Sequence, residues 1–187
     1  MSRLCSPAKL NLSTLLLVMA LALSGCGSIT VDRYAGNTPE FEPEAFFDGN
    51  LRATGVLKNR SGAVTRRFTA DIKAYWRDGV GTLEEDFVFD DGERSRRVWT
   101  LDPRPDGGYT ATAGDVVGNG VARVAGNAMF LEYVLRVPYG DDSIDLSIDD
   151  RMYLVTPDLL INESIMRKFG FRVGQILLSI ERQAAES

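Results

Sequence analysis

The sequence predicts an all-β domain, an antiparallel up-and-down barrel of about eight to ten strands. Three observations carry this expectation. From Phe46 onward, short runs alternate apolar and polar residues, the two-residue period of strands with one buried face. Turn residues punctuate these runs at Asn59 to Gly62, Asp78-Gly79, Asp90 to Gly92, Pro105 to Gly108 and Gly140 to Asp142. Helix-period stretches are scarce, and a meander of one-faced strands leaves no exposed edge once it closes on itself.

The chain opens differently. Residues 1–11 carry Arg3 and Lys9 and no acid, and residues 12–23 are apolar apart from Ser13 and Thr14. Ser24 and Gly25 then place small residues before Cys26. A basic start, a short apolar run and a small-residue cut site read as a secretory signal over residues 1–25. The run falls short of the ~20 residues that span a bilayer. Leu23-Ser24-Gly25-Cys26 resembles the bacterial lipobox, in which the cysteine thiol is diacylated and becomes the new N-terminus. Cys26 is therefore the expected lipid attachment point; the alternative is an ordinary signal peptide, or an uncleaved anchor, with an incidental cysteine. Each buried methylene contributes ~0.8 kcal/mol, so more than one acyl chain anchors stably. By resemblance to lipoprotein sorting in Gram-negative bacteria, Gly27 in place of an Asp directs the protein to the periplasmic face of the outer membrane. Residues 26–45 hold two prolines, Pro39 and Pro43, and no period, so they read as lipid anchor and tether. Residues 46–187 read as one barrel domain.

Taking Arg3 and Lys9 from the 21 basic residues leaves 19 against 26 acidic ones in the mature chain, a net charge of −7. An acidic domain without a basic stripe argues against a nucleic-acid partner. It also offers no polybasic patch to anionic lipid, which leaves the anchor to hold the protein at the membrane. The chain has no histidine, and its other cysteine, Cys5, departs with the signal. That excludes Ser-His-Asp and Cys-His catalysis and His- or Cys-ligated zinc. No calcium loop, P-loop, dinucleotide-binding glycine pattern or nucleophile elbow is present, so no metal or cofactor is expected. An enzyme working through carboxylates or tyrosines is the least favoured reading.

Parity assigns the inward residues strand by strand. In residues 64–76, Val64, Phe68, Ala70, Ile72, Ala74 and Trp76 share a face opposite Thr65, Arg67, Thr69, Asp71 and Lys73. Leu83, Phe87 and Phe89 come next, then Ser95, Trp99 and Leu101, then Met129, Leu131, Tyr133, Leu135 and Val137. Ile144, Leu146, Ile148, Met152 and Leu154 line the following strand. Leu159 with Ile161, and Ile176, Leu178 and Ile180, complete the series. Residues 162–168 are the one place where a helical turn or two is expected. Trp76 and Trp99 read as core residues that could also line a pocket.

Four charges fall on otherwise apolar faces: Arg66, Glu85, Arg97 and Asp150. If Asp90 to Gly92 is a three-residue loop with Gly92 left-handed, Phe89 faces Glu93 and Glu85 faces Arg97. A four-residue loop at Asn59 to Gly62 would place Gly55 opposite Arg66, leaving room beside the guanidinium. One explanation is a buried ion-pair cluster, or charges at an open rim; breaking a buried pair costs ~3–5 kcal/mol. The other is that Arg66 or Arg97 meets the anionic head of an amphiphile whose tail occupies the barrel, with Glu85 and Asp150 as resting counter-ions. Arg66, Glu85, Arg97, Trp99 and Asp150 are the resulting candidate ligand-binding residues. The runs Glu84-Glu85-Asp86 and Asp149-Asp150 form no hydrolytic dyad by themselves, because strand neighbours point to opposite faces.

Several stretches carry a family resemblance: Arg60-Ser61-Gly62 with Arg66-Arg67-Phe68, residues 81–87, Asp91-Gly92-Glu93 with residues 97–101, and residues 115–118. Gly126-Asn127-Ala128, Asp149-Asp150 before Met152-Tyr153-Leu154, and Ile161-Asn162 before residues 166–171 continue it. Together they resemble a family of bacterial lipoproteins with domain of unknown function 3833, over nearly the whole mature chain. Arg151 stands where a tryptophan often precedes the Met-Tyr pair. The resemblance implies no activity and no catalytic residue. The architecture is similar to lipocalin and fatty-acid-binding barrels, although Asn37 and Thr38 follow Gly36 where lipocalins carry a G-x-W tryptophan. The expected function is that of an outer-membrane lipoprotein binding a lipid, fatty acid or other amphipathic small molecule. The alternative is a structural lipoprotein with a filled barrel that docks on an envelope protein.

Overall fold

A computed structural model describes residues 29–184; the expected signal segment and Cys26 lie outside them. Ten strands form a closed barrel in which each pairs antiparallel with its sequence neighbours and the first pairs with the last. They are β1 (Gly49–Asn59), β2 (Val64–Arg77), β3 (Val80–Phe89), β4 (Arg94–Pro103) and β5 (Tyr109–Thr112). β6 (Gly120–Ala125), β7 (Ala128–Tyr139), β8 (Asp142–Thr156), β9 (Leu159–Lys168) and β10 (Phe171–Arg182) follow. The fold class read from the alternation is the one observed. Phe68, Ala70, Ile72 and Ala74 of β2, Leu83 of β3, Trp99 and Leu101 of β4, and Met129, Leu131, Tyr133 and Leu135 of β7 meet in a single buried core.

The structure corrects four expectations. Residues 162–168 are not helical but belong to β9. Its inward residues are Leu160, Asn162 and Ser164, whereas Leu159 and Ile161 turn outward. A register shift between Leu154 and Thr156 reverses the parity there. Gly55 stands opposite Phe68, and Leu57 opposite Arg66, because a shift between Leu57 and Lys58 moves the β1–β2 register. The room at Gly55 is taken: a Cβ there would lie 2.6 Å from the Phe68 ring. Val64, at the strand end, is exposed. The packed unit begins at Val31.

That lead-in closes one end of the barrel. A 3₁₀ turn (Val31–Tyr34) precedes helix α1 (Pro43–Phe46), which starts with proline, a residue lacking the N–H that a first turn cannot use. Phe41, Phe46 and Phe47 are buried against one another with ring centroids 5.2–5.8 Å apart. Trp76 Nε1 donates to the Phe47 carbonyl at 2.9 Å, and Arg182 donates to the Ala45 carbonyl. Trp76 thus seals the plug. The opposite end carries the hairpins after β1, β3, β7 and β9. Among the described residues no helix is long and apolar enough to cross a membrane. The outer wall carries the ion pairs Arg52–Asp71 (2.5 Å), Arg96–Glu84 (2.6 Å) and Arg136–Asp145 (2.8 Å), where a membrane barrel would present an apolar band.

Candidate functional site

The β3–β4 hairpin turns through Gly92 at φ 87°, and Phe89 N–H donates to the Glu93 carbonyl at 2.9 Å. This register sets Glu85 directly opposite Arg97. Both side chains enter the barrel, where Asp150 of β8 joins them. Asp150 is buried and accepts from Ser164 Oγ at 2.8 Å and from Asn162 Nδ2, both on β9. Trp99 packs edge to face on Tyr133 at 5.1 Å, and the Arg97 guanidinium lies 5.7 Å from the Trp99 ring centre. These polar groups share a cavity of about 110 Å³ with an apolar wall that includes Phe68, Leu83, Phe87, Met129 and Leu178.

The counter-ions differ from those expected. Arg97 Nε and Nη2 donate to Oδ2 of Asp115 at 3.0 and 2.6 Å. Asp115 lies in the segment between β5 and β6. Arg66 is held by Asp91 (2.8 Å) and Glu93 (3.0 Å) and stacks 3.8 Å over the Phe89 ring. It sits at the hairpin rim and does not line the cavity. The acids nearest in space come from turns and loops, not from facing strand positions, because a short carboxylate on a loop can follow the guanidinium.

Burial pushes Glu85 up to about 7, against the pull of Arg97 and with the charges of Asp150 and Asp115 adding to it. Burial likewise raises Asp150 to about 6, although the Asn162 and Ser164 hydrogen bonds and the Arg97 charge oppose it. Burial also raises the Tyr133 phenol. For Arg97 burial acts downward, but the bond to Asp115 and the charges of Glu85 and Asp115 help to hold it above its ordinary value. Near neutral pH the cluster can therefore gain or lose a proton inside an apolar shell, and its guanidinium suits carboxylate or phosphate geometry. Among the described residues no group of three or more metal-ligating side chains converges.

A larger hollow, of about 620 Å³, lies against the strands β1–β3, β9 and β10, with outward-facing Val56, Val88, Ile161 and Leu177 on its wall. Its charges are Arg67 and Asp90, already paired at 2.9 Å. It holds none of the buried ionisable groups, so the smaller cavity is the candidate site. Sequence parity turned Glu85, Arg97, Trp99, Tyr133 and Asp150 inward, where they line the cavity, but missed Asn162 and Ser164 of its wall and Asp115, the partner of Arg97. Asn162 and Ser164 are readable once Leu160 is taken as inward; nothing in the local pattern singles out Asp115 beyond its glycine-rich surroundings.

Solved structures of similar shape include the S-type phycobiliprotein lyase CPES from Guillardia theta. It is 14% identical, with a TM-score of 0.46, over 74% of this chain and 89% of that one. Two structures bound to DFHBI also match. EF1p2_mFAP2b is 10% identical, with a TM-score of 0.43 over 75% of this chain and 98% of its own. The redesigned barrel mFAP0 is 9% identical, with a TM-score of 0.40 over 73% and 99%. Similarity at this level says nothing about activity. No curated protein matches the sequence. The family described as "Protein of unknown function (DUF3833)" matches residues 20–182, nearly the whole sequence, and the chain belongs to that family.

Proposed function

We propose that this protein is a lipoprotein, anchored through Cys26 to the periplasmic face of the outer membrane, whose barrel binds a small amphipathic molecule. The observation that carries the reading is the convergence of Glu85, Arg97 and Asp150, with Asn162 and Ser164, on a cavity in an otherwise apolar interior. A barrel that only needed to be filled would be served by apolar side chains at these positions, since buried ion pairs add little net stability. Arg97 receives the anionic head, and Trp99 and the apolar wall contact the first carbons. Arg66, fixed by its own acids at the rim, serves the hairpin.

A second reading, a filled barrel that docks on an envelope protein, is favoured by one observation. The cavity of about 110 Å³ is smaller than the ~300–1,000 Å³ of sites that take a drug-sized ligand. Native mass spectrometry of the purified protein, followed by lipid extraction, separates the two. A reproducible amphiphile near one per chain supports binding; a bare mass, unchanged on adding decanoate or decanol, supports the filled barrel. Labelled palmitate incorporation that disappears with Cys26→Ala tests the anchor, and incorporation that persists would refute it.

A further inference from the structure

The barrel wall is incomplete beside the polar cluster. β5 pairs with β4 only from Thr100 to Pro103. β6 pairs with β7 only from Ala128 to Glu132. The remaining parts of β4 and β7 face each other across a gap, and residues 113–119 lie in it. To β7 this segment is tied by backbone: Val117 N–H donates to the Val134 carbonyl and Arg136 N–H to the Asp115 carbonyl, each at 2.8 Å, beside a Val116–Leu135 bridge. On the β4 side the tie is the ion pair between Asp115 and Arg97 at 2.6 Å.

That ion pair is half made. Both bonds from Arg97 end on Oδ2, while Oδ1 of Asp115 is buried without a partner. A two-oxygen fork between a guanidinium and a carboxylate or phosphate would satisfy both acceptors. Gly114 and Gly118 flank the contact with open space where a Cβ would stand, and Gly118 adopts φ 72°. The backbone can therefore turn at both ends of the segment without a side chain colliding.

We propose that Arg97 is an anion site occupied in the resting protein by the chain's own Asp115 carboxylate. The anionic head of an amphiphile displaces Asp115, and residues 113–119 swing off β4, loosening their backbone bonds to β7, to admit the ligand through this seam. This rests on the small-molecule reading above and names its entrance and its ligand class. It also removes the difficulty of cavity size, because the tail gains the space that the segment vacates.

The test uses decanoate, decanol and acetate with the wild type, Asp115→Asn and a charge-matched control, Asp106→Asn, whose acid pairs with Arg104 away from the cavity. Asp115→Asn is expected to bind decanoate at least tenfold more tightly than either of the others, with decanol affinity unchanged. Adding decanoate to the wild type is expected to speed hydrogen exchange at the Val117 and Arg136 amides, a readout that needs no variant. Acetate is expected to do neither, and an equal response to it would overturn the amphiphile assignment. If the wild type binds decanol but Asp115→Asn takes decanoate no more tightly, binding stands and displacement is wrong. If neither protein takes up any probe, both readings fall together.

Discussion

Arg66 and Arg97 face the same interior from β2 and β4, and their side chains are almost equally accessible, at 27% and 25%. Each stacks near an aromatic ring and binds an acid. Exposure does not separate them; surroundings do. The partners of Arg66, Asp91 and Glu93, are more than half exposed and sit on one tight hairpin. Arg97 binds a loop carboxylate and also faces two carboxyls, Glu85 and Asp150, that burial has raised into the neutral range. An inward charge at the rim is architecture. The same charge one layer deeper holds together groups that cannot all stay ionised without it.

The largest expected effect breaks this contrast directly. Arg97→Met leaves buried carboxyls without their cation, a loss of about 3 kcal/mol or more at pH 7.5, or roughly 10 °C in Tm for a domain of this size. At pH 5 much of that loss is expected to vanish, because Glu85 and Asp150 then hold protons. Arg66→Met is expected to shift Tm by less than ~3 °C at both pH values, as exposed pairs do. Thermal melts of the two variants at both pH values check this. Equal losses would mean that depth does not distinguish the two sites.

The next effect sharpens it. With a pKa of about 7 in the fold and an ordinary one when unfolded, Glu85 binds a proton in the folded state that the unfolded chain has released. Stability from this group is thus fully present below the ordinary carboxylate range and is lost as pH rises through about 7. Above that, the fold carries a desolvated charge. Glu85→Gln keeps the neutral form, so it is expected to match the wild type near pH 4 and exceed it at pH 8 by on the order of 3 kcal/mol. Urea unfolding across that range measures it. A variant less stable at pH 8 would show that Glu85 serves Arg97 more than it costs.

How much of this was legible depended on what fixed each register. The β3–β4 pairing could be read because Asp90-Asp91-Gly92 specifies one loop geometry, and that geometry sets Glu85 against Arg97. The β1–β2 pairing could not, since the shift at Leu57 and Lys58 leaves no composition signal. In β9 a similar shift after Leu154 reversed the parity. Asn162 and Ser164, polar yet inward, break the alternation that marks the other strands. The plug at residues 31–47 was hidden because Phe41, Phe46 and Phe47 follow no period; they fill the end of a cylinder and not the face of a strand. Asp115 was invisible for a related reason: its role comes from a gap that exists only because β5 and β6 are short.

The smallest prediction concerns two hairpins of the same shape at opposite ends. Asp78-Gly79 joins β2 to β3 with φ of 52° and 79°, and Phe169-Gly170 joins β9 to β10 with φ of 51° and 80°. Flanking pairs Arg77–Val80 and Lys168–Phe171 make both into two-residue loops, whose left-handed first position suits Asp or Asn. Asp78 fits that rule and Phe169 does not, since a bulky side chain in this region is strained by about 1 kcal/mol or more. Phe169 is 88% exposed, so burial does not repay the strain, and the Lys168 ammonium lies 4.9 Å from its ring centre. Phe169→Asp is therefore expected to raise stability by about 1 kcal/mol, roughly 3 °C in Tm, while Asp78→Phe is expected to lower it by a similar amount. If Phe169→Asp leaves Tm unchanged, the contact with Lys168 is offsetting the backbone strain, and the combined change with Lys168→Ser would expose it.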